Sequence, residues 1–122
     1  MYREEGFKSL IVWRNAYQFT LDIYKLTSKF PREELYGLTS QLRRASYSIP
    51  LNIAEGYTRS GNKEFLQFLT ISRGSSAEIE TLLLLSRDLG FVSVDEYQSF
   101  EGKRKKITKI LQGLINSVRK KF

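Results

Sequence analysis

The chain is predicted to be all-α, an antiparallel up-down four-helix bundle forming a single domain over residues 1–122, and three observations carry that prediction. Apolar residues recur at steps of three and four through four long segments. The links between those segments are short, which makes neighbouring helices run antiparallel. No stretch alternates with the period of two that marks a half-buried strand. A chain of 122 residues can bury one core but not two.

The first helix is expected at about 7–29, and Phe30-Pro31-Arg32 ends it because the residue before a proline is pushed out of the helical region. Its wheel carries two apolar faces. Leu10, Trp13, Tyr17, Leu21 and Tyr24 form one, and Val12, Ala16, Phe19, Ile23 and Leu26 form the other, with a narrow polar strip of Arg14, Asn15, Gln18, Asp22 and Lys25. One bundle core needs one apolar stripe. A subunit interface is therefore expected on the first helix, and Val12, Ala16, Phe19 and Ile23 are assigned to it, together with Tyr47 from the second helix.

The second helix is expected at about 33–55, with Leu38, Leu42, Ala45, Ile49 and Ile53 as its inner stripe and Arg43, Arg44 and Tyr47 facing out. Pro50 lacks an amide hydrogen and its ring crowds the carbonyl four residues earlier, so a kink is expected there. Gly56 suits a left-handed helix stop.

A polar link, Tyr57 to Asn62, leads to a third helix at about 62–89 with Asn62 as its N-cap. Its inner face, Phe65, Phe68, Leu69, Ser72, Ser76, Ile79, Leu83 and Ser86, is bulky at the ends and small in the middle, which would let a neighbouring backbone come close. Leu89-Gly90-Phe91 reads as a helix stop. Ser93 with Glu96 reads as a capping box opening the fourth helix at about 94–121, packed through Tyr97, Phe100, Ile107, Ile110, Leu111, Leu114, Val118 and Phe122.

The wording of these helices is as informative as their period. The run Leu35 to Leu42 followed by Arg43 to Gly56, then Phe65-Leu66-Gln67-Phe68-Leu69, then Gly74 to Thr81, then Leu89-Gly90-Phe91, resembles in order and spacing the bacterial four-helix-bundle family of 23S rRNA intervening-sequence proteins. That family includes the accessory variability proteins of diversity-generating retroelements. The resemblance covers most of residues 7–118. Tyr47 and Leu51 depart from the pattern, where smaller residues are usual. The resemblance implies a bundle that assembles as a homo-oligomeric ring, typically a homopentamer. The retroelement branch is basic, binds nucleic acid and associates with a reverse transcriptase; for the branch encoded within ribosomal RNA genes no biochemical activity is implied.

Composition narrows function further. The chain has no histidine and no cysteine, which removes thiol nucleophiles, His-based acid-base catalysis and zinc sites built on those residues. Glu78 and Glu80 sit two apart on different helical faces, and Asp88, Asp95 and Glu96 merely flank one loop. Ser46, Ser48, Ser72 and Ser76 have no recognisable base partner. No enzyme, cofactor or metal is expected. Met1 to Gly6 lacks the apolar core of a signal peptide and no apolar run reaches membrane-span length, so a cytoplasmic protein is expected.

Lysine and arginine outnumber aspartate and glutamate 20 to 13, a formal charge of +7, and after Glu101 there is no acid at all. Nucleic acid is the expected partner of such a surface, bound through phosphates without base readout. The candidate contacts are Arg43, Arg44, Arg59 and Lys63, with Lys105, Lys106, Lys109, Arg119 and Lys120 on the last helix. Arg43 and Tyr47, one turn apart, suit stacking on a base or, preferably, packing into a neighbouring subunit. The alternative is a structural or protein-interaction module whose basic face meets an acidic partner.

Overall fold

A computed structural model describes residues 6–122; residues 1–5, which hold most of the opening segment considered above, lie outside the described residues. A 3₁₀ turn, Gly6–Ser9, leads into α1 (Ile11–Thr27); a second, Arg32–Glu34, precedes α2 (Leu38–Tyr57), and α3 (Asn62–Asp88) and α4 (Val94–Arg119) follow. There is no strand among the described residues.

Side-chain bonds between helices fix their direction. The Thr20 hydroxyl meets the Ser46 carbonyl and Arg43 meets Thr27, so α1 and α2 are antiparallel. Ser72 bonds the Ile49 carbonyl while Phe65 and Phe68 flank Gly56, and Arg73 meets Gln112 while Arg104 meets Glu80, so each later pair is antiparallel too. The four inner stripes meet in one core that includes Val12, Phe19, Ile23, Leu42, Ile49, Ile53, Leu69, Ile79, Leu83, Leu111 and Ile115.

The seams are unequal. α2 and α3 come closest, through Ser72 and Ser75, both buried and bonded to α2, and through Gly56. A Cβ added at Gly56 would lie 2.7 Å from the Phe68 Cβ and 3.0 Å from a Phe65 ring carbon. Gly56 therefore serves packing. It lies inside α2 and not at a left-handed stop; the left-handed glycines of the described chain are Gly6, Gly61 and Gly90.

Pro50 also lies within α2, which continues through it to Tyr57. Its missing N–H leaves the Ser46 carbonyl without its helical donor. The Thr20 hydroxyl stands in: it is 3.1 Å from that carbonyl and 2.9 Å from Ala16 O, one proton shared between two acceptors.

Helix ends differ from the sequence expectation where side chains, not periodicity, decide them. The first helical segment breaks at Leu10, and α2 begins at Leu38 because the Glu34 carboxylate accepts the Leu38 N–H at 3.0 Å across an N-cap at Gly37. The N-cap of α3 is Gly61, with φ 123°, and Asn62 is its first helical residue. Gly90, at φ 80°, ends α3 with Phe91 N–H on Ser86 O, and Ser93 with Glu96 forms the expected capping box. Phe122, expected in the core, is exposed beyond the end of α4.

Gly56→Ala tests the α2–α3 seam. Helix propensity alone favours alanine by about 1 kcal/mol, but the new methyl meets a Cβ fixed to its own helix, so the helices must part. Urea unfolding should show a net loss of about 1–2 kcal/mol, within the ordinary cost of overpacking.

Candidate nucleic-acid interface

α4 is positioned by its apolar stripe. Ile107, Leu111, Ile115 and Val118 are buried against the core, which turns Lys105, Lys106 and Lys109 to solvent, and Arg119 and Lys120 project from its last turn and beyond. None of these five cations makes an ion pair among the described residues. Lys106 rims a shallow groove between α4 and α1, floored by Phe19 and Ile107.

One cation in the same run has a different fate. Arg104 is buried: its Nε lies 2.7 Å and its Nη2 2.8 Å from the two Glu101 carboxylate oxygens, with Glu80 at 3.2 Å and Ser76 Oγ also 3.2 Å away. The guanidinium, through its hydrogen bonds first and its charge second, holds the Glu101 carboxyl below the usual carboxylate range. Every buried side-chain nitrogen and oxygen among the described residues has a partner. Arg104 ties α4 to α3 and has no free donor edge for a phosphate. The sequence signal was its position, three before Ile107 and seven before Leu111, on the inward stripe.

The α2 cations divide similarly. Arg43 is half-buried, donating to Thr27 Oγ1 at 2.8 Å and lying 4.6 Å from the centre of the Tyr24 ring, so it braces α1 against α2. Arg44, one residue on, is exposed and makes no ion pair among the described residues. Arg59, beyond the end of α2, pairs with Glu55 at 3.2 Å and sits over Phe68. Lys63 is exposed in the first turn of α3. The antiparallel topology gathers Arg59, Lys63, Arg119 and Lys120 at one end of the bundle. Lys105, Lys106 and Lys109 lie along its flank, and Arg43 and Arg44 stand apart on α2.

The assignment of a subunit interface to Val12, Ala16, Phe19 and Ile23 is corrected. All four are core residues, no more than 2% exposed, and no second copy can reach them. Aliphatic side chains bury at no polar cost, whereas Tyr17 and Tyr24 carry hydroxyls that need a partner or water. Among the described residues the opposite face of α1 is the one left open. Trp13, Tyr17 and Leu21 from α1 and Tyr47, Leu51 and Ala54 from α2 line an almost wholly apolar groove, with Trp13 and Tyr17 stacked at 5.0 Å. Tyr47 stands on its rim, 42% exposed.

Among the described residues no cluster of three or more Asp, Glu, His or Cys side chains is arranged to hold a metal ion, and no helix is long and apolar enough to cross a membrane.

Substitution separates the structural cation from its neighbours. Arg104→Ala strands a buried carboxylate and should cost about 3–5 kcal/mol in urea unfolding, while Lys105→Ala should change stability by less than about 0.5 kcal/mol. A carboxylate with a lowered pKa contributes its stability fully above the unfolded value of about 4.3 and loses it as pH falls through the lowered one. Glu101→Gln should therefore flatten the acid limb of the stability profile below about pH 4.

Comparison with known proteins places the chain. It superposes on a crystal structure of a protein of unknown function from the S23 ribosomal protein family of Bacteroides thetaiotaomicron VPI-5482 with a TM-score of 0.81 and 23% identity, covering 87% of this chain and 96% of that one. At that identity the likeness speaks for the fold. No curated protein matches. A family model described as 23S rRNA-intervening sequence protein matches residues 8–113. With the bundle and the ordered motifs above, this chain belongs to the 23S rRNA-intervening sequence protein family.

Proposed function

We propose that this protein is a non-enzymatic, homo-oligomeric bundle that docks RNA or DNA by sequence-independent electrostatics, in the service of a nucleic-acid enzyme such as a reverse transcriptase. The observation that carries the reading is the state of α4. In a segment without a single acid after Glu101, Lys105, Lys106 and Lys109 are exposed and make no ion pair among the described residues, while the one arginine of α4 that does pair has been withdrawn into the core. Lysines of this kind bond phosphate oxygens and carry no base preference.

Self-association is supported by the α1–α2 groove. Tyr17, Leu21, Tyr47 and Leu51 are all between 42% and 61% exposed on one apolar surface, a concentration that marks an interaction site. A neighbouring copy seating a different face in this groove would build the ring that the family likeness implies, with five subunits the expected number. The same groove favours the second reading, a protein-interaction module without a nucleic-acid role. Pull-down after nuclease digestion separates the two, since partners of a module survive it.

Binding to a labelled RNA or DNA duplex should weaken with salt at roughly 0.9 log units per log unit of salt for each DNA phosphate neutralised. Reversal of Lys105, Lys106 and Lys109 to glutamate should lower the affinity. Salt-insensitive binding, or none at low salt, overturns the nucleic-acid reading. Light scattering checks assembly independently: the native chain should exceed the 14.2 kDa monomer mass, and Leu51→Glu, at the exposed rim, should return it towards that mass.

A further inference from the structure

The formal charge is spread unevenly along the bundle axis. At the end where α2 finishes, α3 starts and α4 finishes lie Arg59, Lys63, Arg119, Lys120 and Lys121, all exposed, joined from α1 by Arg14. Among the described residues the acids there are Glu55, already paired with Arg59, and Glu64. The opposite end is balanced. It holds Glu33, Glu34, Asp88, Asp95 and Glu96 against Lys25, Lys29, Arg32 and Arg87, and two ion pairs, Lys29–Glu96 and Arg87–Asp88, consume much of that charge.

Length makes this asymmetry matter. At 27 residues α3 spans about 40 Å, some five Debye lengths at physiological ionic strength, where one is about 8 Å. A phosphate at one end therefore feels the charges of that end and almost none of those at the other. Neighbouring helices are only about 8–10 Å apart, so the cations of the α2–α3 link, the first turn of α3 and the last turn of α4 act together. Lys109 stands eleven residues, about 16 Å, up α4 from Lys120, and its lysine stripe belongs to a single helix.

We infer that the end of the bundle built from the α2–α3 link, the start of α3 and the end of α4 is the primary contact for the nucleic-acid backbone, so that nucleic acid meets the bundle end-on. The α4 flank then extends that contact, and the opposite end takes no part. This rests on the nucleic-acid reading above and adds a direction to it.

The test uses the full chain and a fluorescein-labelled 20-base-pair DNA duplex of arbitrary sequence, with affinity measured by anisotropy across a salt series. Three variants are compared: Lys63→Gln/Arg119→Gln/Lys120→Gln at the basic end, Lys105→Gln/Lys106→Gln/Lys109→Gln on the flank, and Lys25→Gln/Arg32→Gln at the opposite end. Every substituted side chain is exposed and unpaired among the described residues, and an unchanged urea midpoint confirms folding. The basic-end variant should reduce the salt slope by about 2 or more and lower the affinity further than the flank variant, while the opposite-end variant leaves both unchanged. An equal or larger loss from the flank variant, or a comparable loss per residue at the opposite end, overturns the inference and leaves the nucleic-acid reading standing. No binding by the unaltered chain at low salt removes both.

Discussion

The close approach of α2 and α3 governs the arrangement of everything else. Their facing surfaces are made small by Gly56, Ala45 and the buried serines, so the two backbones can draw together, and the hydroxyls are satisfied locally: Ser72 on Ile49 O, Ser75 on Ser48 Oγ, Ser86 on Leu82 O. Dispersion and burial over a tight contact are collectively large even with small side chains. The other two helices are then applied to the sides of this pair, α1 on α2 and α4 on α3. The α1–α4 seam closes last and most thinly, with the Phe19–Phe100 ring contact and two ion pairs, Lys29–Glu96 and Lys103–Asp22.

That geometry explains the two faces of α1. A helix laid on the flank of a tight pair can bury one stripe only, and it buries the one without hydroxyls. The aromatic stripe remains outside, continued across the seam by Tyr47 and Leu51 of α2. Both are exposed, Leu51 at 61%. Their bulk is spent on the groove and does not disturb the core beneath Pro50, where Ile49 and Ile53 are completely enclosed. The proline itself is accommodated from α1, by the Thr20 hydroxyl, so the α1–α2 pairing and the broken hydrogen bond of α2 are one local solution.

Much of this was legible in the sequence because it depends on period. The inner stripe of α2 and the small-residue centre of α3 follow from spacing alone, and the capping box of α4 follows from two residues three apart. What was not legible depends on choices between equivalent patterns or on side chains reaching across a turn. Nothing in the wheel of α1 says which of two apolar faces goes inward; the cost of burying tyrosine hydroxyls decides it. Glu34 caps Leu38 from outside the helix, so α2 starts later than its pattern. Gly56 has the look of a terminator and is a contact. Arg104 reads as one member of a basic run, but its register puts it on the inner stripe with Glu101 one turn behind, and a buried arginine requires such a partner.

The separation of structural from available charge bears on how salt acts on this molecule. Exposed ion pairs such as Lys29–Glu96 and Lys103–Asp22 are worth at most about 1 kcal/mol each and weaken as salt rises. The Arg104 cluster, enclosed between α3 and α4, is screened far less. Salt thus loosens the thin α1–α4 seam slightly and leaves the α3–α4 seam, which carries the basic helix, intact. A polyanion contact responds differently, because each phosphate neutralised releases counterions and the effect multiplies with the number of contacts. A steep fall in binding between moderate and high salt therefore reports on the exposed lysines and arginines themselves, since the framework that presents them changes little over the same range.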